Sequence, residues 1–263
     1  MQGSCQIVTR PTGFRRPYTR AMCGRFTRYA SWAQVHAFLQ PLPVLPPPAE
    51  LAPQFNIAPT QRAWVLAANE DGALAVQPMK WGFAPRWARD AKQAKPINAR
   101  AETVASNGLF RASFGDRRCI VIANGWYEWH ASPGGKQPWY FTLAEGEPLA
   151  FAGVYDVSRA TGTPEIGFAI LTGSAGELCR PVHDRMPVIV AHDDVARWLR
   201  PDTPHADVRA LLSACEPEGL CRYPVSRAVN TPRNDDERLV APIGDAQSEP
   251  GPLVEPPPGT NKK

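Results

Sequence analysis

Between residues 63 and 190 the chain repeats one pattern, a strand-length apolar run closed by a turn signal, and this leaves little choice of architecture. Runs 63–68 and 74–81 flank Asn69-Glu70-Asp71-Gly72, whose Asp-Gly pair is a hairpin signal. Residues 119–130 (CIVIANGWYEWH) form a longer run with a kink expected at Asn124-Gly125, and Ser132-Pro133-Gly134-Gly135 returns the chain into 139–143. Further strands are predicted at 149–156, 166–172, 186–190 and 223–226. Helical periodicity is confined to short pieces. Ser31 reads as the N-cap of a helix through about Gln40 with Trp32, Val35, Phe38 and Leu39 on one face, and residues 99–106, 193–199 and 206–214 read as short helices. Strands in hairpins with few helices predict an α+β fold, a single domain with an antiparallel β-barrel-like core and short flanking helices.

The prolines mark what lies outside that pattern. Residues 41–53 (PLPVLPPPAELAP) lack the donors for a helix or central strand, so an ordered, partly extended connection is expected. The domain is expected to span residues 23–243, and the aperiodic Pro/Gly/Glu-rich residues 244–263 to form a disordered tail. Residues 1–22 hold Arg10, Arg15, Arg16, Arg20 and no acid, which faintly resembles a transit peptide. A misassigned start or a short pro-segment competes with that, and the misassigned start is favoured. These four arginines account for the whole net charge of +4. The six cysteines include no C-x-x-C pair and no H-x₃-H spacing accompanies them, which argues against zinc. No cofactor is expected. No secretory segment and no membrane-length apolar run is visible, so a reducing cytoplasm is expected. A monomer, associated with the nucleoid, is the further expectation. Phosphate-binding glycine loops and the G-x-S-x-G elbow are absent from the sequence.

Chemistry concentrates in a few segments. In Met22-Cys23-Gly24-Arg25-Phe26, a chain beginning at Cys23 would carry an α-amine and a thiol two carbons apart. The amine condenses with an aldehyde to an imine and the thiol closes a thiazolidine. The competing fate is an internal, buried cysteine. Asn98 and Arg100 lie two apart at the start of the predicted 99–106 helix, one able to donate and accept, the other to grip a phosphate bidentately. Capping or surface roles are the alternative. Glu128 sits among Trp126, Tyr127 and Trp129, where desolvation would raise its pKa towards acid–base work. Glu128 and Trp126 share a face of any regular strand, although the carboxylate could still point to water. His183, between charges ahead of a strand, is either a proton shuttle or a structural histidine. Residues 80–118 hold nine cations and three acids, interleaved with Trp81, Phe83, Trp87, Phe110 and Phe114. Such a stretch suits single-stranded nucleic acid, with Arg86 and Trp87 as candidate contacts beside Arg100 and Trp129. A solvated loop with rings in the core is the competitor.

In order, MCGRF, PQFNIAPTQ, WGFAPRWA, INARAET, RRCIVIANGWYEW, AFAGVYD, ILTGSAGELCRPVHDRMPVIV and VNTPRND resemble the signatures of SOS response-associated peptidase (SRAP) domain proteins, from about Met22 to Ile243. The resemblance implies an abasic-site processing protein that cross-links covalently to abasic sites in single-stranded DNA through an N-terminal cysteine and shields them in the DNA damage response. It implies Cys23 as nucleophile, Glu128 as acid–base in opening the deoxyribose and forming the imine, and His183 as its assistant. Asn98 would hold the N-terminal residue and sugar, and Arg100 a flanking phosphate. Abasic single-stranded DNA and the replication machinery are the implied partners. Self-cleavage exposing Cys23 and slow lyase activity are implied side reactions. Family members usually begin Met-Cys, and here 22 residues precede Cys23. A cysteine peptidase acting on other proteins and a non-covalent single-strand binding module are the alternatives.

Overall fold

In the computed structural model the described residues are 24–90, 95–132, 134–160, 162–213 and 216–244, with the backbone of 249–250. Thirteen strands form among them: β1 Phe26–Arg28, β2 Gln54–Ile57, β3 Arg62–Ala68, β4 Leu74–Trp81, β5 Asn98–Arg100, β6 Arg118–Ala123, β7 Gly125–Ser132, β8 Gly135–Leu143, β9 Leu149–Ser158, β10 Glu165–Ser174, β11 Arg185–Pro187, β12 Leu220–Pro224 and β13 Glu249–Pro250. Strands β4, β3, β6 and β9 follow β10 in hydrogen-bonded order, and β9 pairs back onto β10, closing a five-strand barrel. Every seam is antiparallel except β4–β10. Closure removes the exposed edges that an open sheet would carry. The fold is α+β, a single domain, as expected. The second sheet, in order β13-β12-β8-β7-β1-β2, is antiparallel throughout.

The run 119–130 is two strands in two sheets. Asn124 makes the corner: its Oδ1 accepts from the Tyr29 and Ala30 amides at 2.8 and 2.9 Å, and its Nδ2 donates to the Gly146 carbonyl at 3.2 Å. At Gly125 a Cβ would lie 2.3 Å from the Phe141 carbonyl oxygen, so only glycine fits the closest approach of β7 to β8. All six residues of β6 are buried because both faces are covered. Ile120 and Ile122 join one hydrophobic cluster with Val35, Phe114 and Trp198 of the helices, while Cys119 and Val121 join another with Phe26, Trp126 and Phe141 of the second sheet.

Among the described residues four α-helices flank the sheets: α1 Trp32–Leu39, α2 Arg111–Asp116, α3 Val195–Leu199 and α4 His205–Ala210. Ser31 caps α1 through a capping box with Gln34. The expected 99–106 helix does not form. Asn98–Arg100 is drawn into a parallel ladder with Ile170–Thr172 of β10, and residues 101–106 close as turns on the Arg100 and Thr103 carbonyls. The Pro-rich 41–53 connection is held by buried Arg28, whose guanidinium donates to the carbonyls of Ala30, Leu51 and Ala52. Burial pushes the Arg28 pKa down to about 10. In the expected tail, Glu249–Pro250 pairs with Cys221 and Arg222. The other residues of 245–263 lie outside the described residues. Among the described residues no helix is long and apolar enough to cross a membrane.

One glycine tests the barrel closure. A Cβ at Gly167 would sit 2.4 Å from the Gly82 carbonyl oxygen, a backbone atom in the crossing that leads out of β4. Gly167→Ala is expected to destabilise the fold by about 2–3 kcal/mol, the cost of overpacking a site that cannot yield. The urea unfolding midpoint measures it, and an unchanged midpoint would refute the close approach.

Candidate active site

The register between β1 and β7 builds the first half of the site. Phe26 lies opposite Trp126, and the Tyr127 amide donates to the Arg25 carbonyl at 3.1 Å. Continuing that register by one residue brings Gly24, the first described residue, level with Glu128. A Cβ placed on Gly24 would meet nothing within 4 Å. Glu128 is buried, at 3% exposure, and shares its face of β7 with buried Trp126, as strand alternation predicts. Across the ladder Glu128 opposes Trp139 and Trp126 opposes Phe141, on which it stacks with ring centroids 4.9 Å apart. The Arg222 guanidinium lies 5.2 Å from the Trp139 ring centroid. On the opposite face, Tyr127 donates to the Phe55 carbonyl at 2.8 Å and the Trp129 indole to Asn230 Oδ1 at 2.7 Å. Glu128 therefore faces the core between the sheets, while Trp129 is tethered on the other side. Cys23 itself lies outside the described residues.

The second half is the turn at residues 175–184, between β10 and β11. Its ends are joined by the Ala175 amide on the Asp184 carbonyl at 3.0 Å. Inside it the amides of Val182 and His183 both donate to the Cys179 carbonyl at 3.0 Å. Glu216 anchors it from a distant loop: its carboxylate accepts from the amides of Leu178 at 3.0 Å and Cys179 at 2.8 Å. Gly176 makes room, since a Cβ there would lie 2.3 Å from the Glu216 carboxyl carbon. Buried His183 meets the Arg185 amide with Nδ1 at 3.0 Å, and the same nitrogen lies 3.2 Å from Asp184 Oδ1. The two halves meet at Cys179. Burial, then the charges of Glu216 and Glu128, push its thiol well above the ordinary cysteine range. Cys179 is therefore a protonated thiol, not a competing nucleophile. Glu216→Ala is expected to speed hydrogen exchange at the Leu178 and Cys179 amides by at least tenfold, because two hydrogen bonds to a charged acceptor are lost. Unchanged protection would refute the anchor.

Asn98 and Arg100 reach the same neighbourhood along β10. Their strand pairs with Ile170–Thr172, and β10 then runs into the His183 turn. Arg185, two residues past His183, grips both oxygens of Glu102 and donates to the Thr172 carbonyl. Those hydrogen bonds, reinforced by the Arg100 charge, hold the Glu102 carboxyl below the usual range. The Arg100 side chain is exposed. Arg86 and Trp87 lie further back along β10 than Asn98 and Arg100. The Arg86 amide and Nε both donate to Asp156 at 3.0 Å, and Asp156 opposes Gly167, five residues before Thr172 or roughly 16 Å along the strand. Trp87 is 57% exposed there.

The basic stretch is not a continuous cationic track. Lys80 and Lys95 pair with Glu165, Arg86 and Arg117 with Asp156, and buried Arg118 donates to the carbonyls of Phe114, Gly115, Trp198 and Arg200. The acids come from β9 and β10, far along the chain, so counting charges within 80–118 missed them. Sequence reasoning also missed Glu216, Cys179 and the Arg185–Glu102 pair. Arg185 and Glu102 lay inside two segments already singled out, whereas nothing marks Glu216 in its Pro/Glu-rich loop.

The sequence signature described as SOS response associated peptidase (SRAP) matches residues 22–232. Abasic site processing protein YoaM of Bacillus subtilis is 36% identical over 224 residues, covering 83% of this chain and 97% of the relative. Abasic site processing protein YedK of Escherichia coli is 30% identical, covering 84% and 100%. Among solved structures, a phage-related protein of Bordetella bronchiseptica superposes with a TM-score of 0.63 at 31% identity, covering 78% of this chain and 95% of that one. A protein of Bacteroides thetaiotaomicron shares the fold with a TM-score of 0.71 at 24% identity, covering 84% and 99%. With the family signature spanning most of the chain and relatives matched almost end to end, the chain belongs to the SOS response associated peptidase (SRAP) family.

Proposed function

We propose that this protein processes abasic sites in DNA by forming a thiazolidine between the deoxyribose aldehyde and an N-terminal Cys23. The observation that carries this reading is the β1–β7 register. Continued past the hydrogen bond from the Tyr127 amide to the Arg25 carbonyl, it supports a Gly24 level with the buried Glu128 carboxylate, with Cys23 next to Gly24 in the sequence. The names of the relatives supply the substrate class.

Each residue then has a chemical task. Glu128 moves the proton between the ring oxygen and the C1′ hydroxyl, opening the hemiacetal to the aldehyde. The Cys23 amine adds to C1′, and the carbinolamine loses its hydroxyl as water, protonated by Glu128 with His183 assisting. The thiol adds to the resulting imine carbon. One C–S bond forms, the thiol proton passes to nitrogen, and the whole sequence releases one water. Asn98 orients the sugar and Arg100 meets a flanking phosphate. An imine at C1′ also acidifies the C2′ proton, so slow strand cleavage accompanies any imine that fails to close. The amine must be free, so the active chain begins at Cys23, by removal of Met22 or by release of residues 1–22.

The test is a denaturing gel with a chain whose first residue is Cys23, incubated with a single-stranded abasic oligonucleotide and with the same oligonucleotide after borohydride reduction of its aldehyde. A shifted band with the first substrate and none with the second is expected. No band with either, or bands with both, would overturn the reading.

A further inference from the structure

The sheet that carries Glu128 also carries a charged side chain to which the proposed chemistry gives no task. Across β7, β8 and β12 the register forms two rows on one face: Trp126, Phe141 and Arg222 in the first, Glu128, Trp139 and Pro224 in the second. Arg222 and Glu128 are thus two strands apart, roughly 10 Å, and one row out of step. The Arg222 guanidinium crosses that diagonal, lying 5.2 Å from the centroid of the Trp139 ring that separates it from Glu128. Arg222 is half-buried there. Earlier in the same segment, Glu216 accepts from the Leu178 and Cys179 amides, so residues 216–222 tie the His183 turn to this face. Cys179 marks where the groups converge. Burial, Glu216 and Glu128 push its thiol up, and the Arg222 guanidinium pulls it the other way.

Two carboxylates share this space with one guanidinium. A buried carboxylate keeps its charge only beside a cation or hydrogen-bond donors, and a second carboxylate nearby works against it. We propose that Arg222 is a positioning residue for Glu128: held over Trp139, its guanidinium orients the Glu128 carboxylate and offsets the negative charge that Glu216 brings to the same space. Arginine suits the place, because a planar, permanently charged fork stacks on a ring face and still donates from its edge. Arg222 touches no reacting atom. It acts through Glu128, which takes the first proton of hemiacetal opening as a charged base. The inference rests on the proton transfers proposed above for Glu128.

The test titrates the Glu128 carboxyl by carbon NMR in the chain beginning at Cys23, without DNA. Arg222→Gln is expected to raise the Glu128 midpoint by about one pH unit or more, because the charged form loses its cation. Arg222→Lys, which returns the charge, should fall between that variant and wild type. Glu216→Gln removes the competing anion and should lower the midpoint, and it reads the same shared charge if the arginine variant fails to fold. The turn also carries Cys179 and His183, present in every variant, so the differences report Arg222 and Glu216. Rapid-quench cross-linking at saturating abasic DNA should slow about tenfold or more in Arg222→Gln, the loss of a hydrogen bond between charged groups. Arg222→Lys should restore most of that rate, with affinity for undamaged DNA within twofold of wild type throughout. Midpoints unmoved in Arg222→Gln and Glu216→Gln would overturn the proposal even with a slower rate, since an arginine that only supports the fold slows the reaction without moving them. Midpoints that move in a protein forming no cross-link sink only the thiazolidine reading, and cross-linking with unmoved midpoints sinks only the role of Arg222.

Discussion

Replacing Cys23 by Ala is expected to abolish the denaturation-stable complex with abasic DNA, with no adduct detectable, while DNA binding before denaturation stays within twofold of wild type. The asymmetry follows from the chemistry. Alanine keeps the α-amine, so a C1′ imine still forms, but no sulfur is present to close the ring, and the imine hydrolyses when the protein unfolds. Borohydride added during incubation should reduce that imine and restore a stable conjugate. A gel with and without reductant therefore separates two roles that one residue carries. A stable adduct from Cys23→Ala without reductant would show that ring closure is not what holds the DNA.

Glu128→Gln is expected to slow cross-linking by about 10²–10⁴-fold, the usual contribution of a positioned acid–base group, with little change in the affinity for undamaged DNA. Glutamine keeps the shape of a side chain that is 3% exposed, level with Gly24 and opposite Trp139, so packing is preserved and only proton transfer is lost. The effect should fall on the rate at saturating DNA, read by rapid quench into denaturant, because hemiacetal opening and carbinolamine dehydration both need a proton moved. A rate within threefold of wild type would remove Glu128 from the chemistry and leave it a structural carboxylate.

The parts of this molecule that were legible in the sequence are those fixed by near neighbours. Asn69 shows why: its side-chain oxygen accepts from the Asp71 and Ala73 amides within its own turn, so the hairpin between β3 and β4 is written locally. The same holds for the Ser31–Gln34 capping box. What escaped was decided at long range. Residues 99–106 have helix-forming composition, yet β10 captures residues 98–100 as a strand. The three residues of β1 are too few for any period, and their place comes from pairing with β2 on one side and β7 on the other. The candidate site divides in the same way. Glu128 could be picked out from Trp126 two residues away, but the anchor of its partner turn, Glu216, is 33 residues from His183 and accepts from backbone amides there. The charge count over residues 80–118 is changed from far along the chain: Asp156 and Glu165, on β9 and β10, pair with Arg86, Arg117, Lys80 and Lys95.

The intact mass of the conjugate tests the central claim most directly. A chain beginning at Cys23 would be incubated with a single-stranded abasic oligonucleotide, denatured without reductant, and weighed. The account predicts a single product at the sum of the two masses less one water, with Cys23 thiol blocked to alkylating reagents. A product at the full sum, a Cys23 that still alkylates in the conjugate, or no conjugate at all would contradict it.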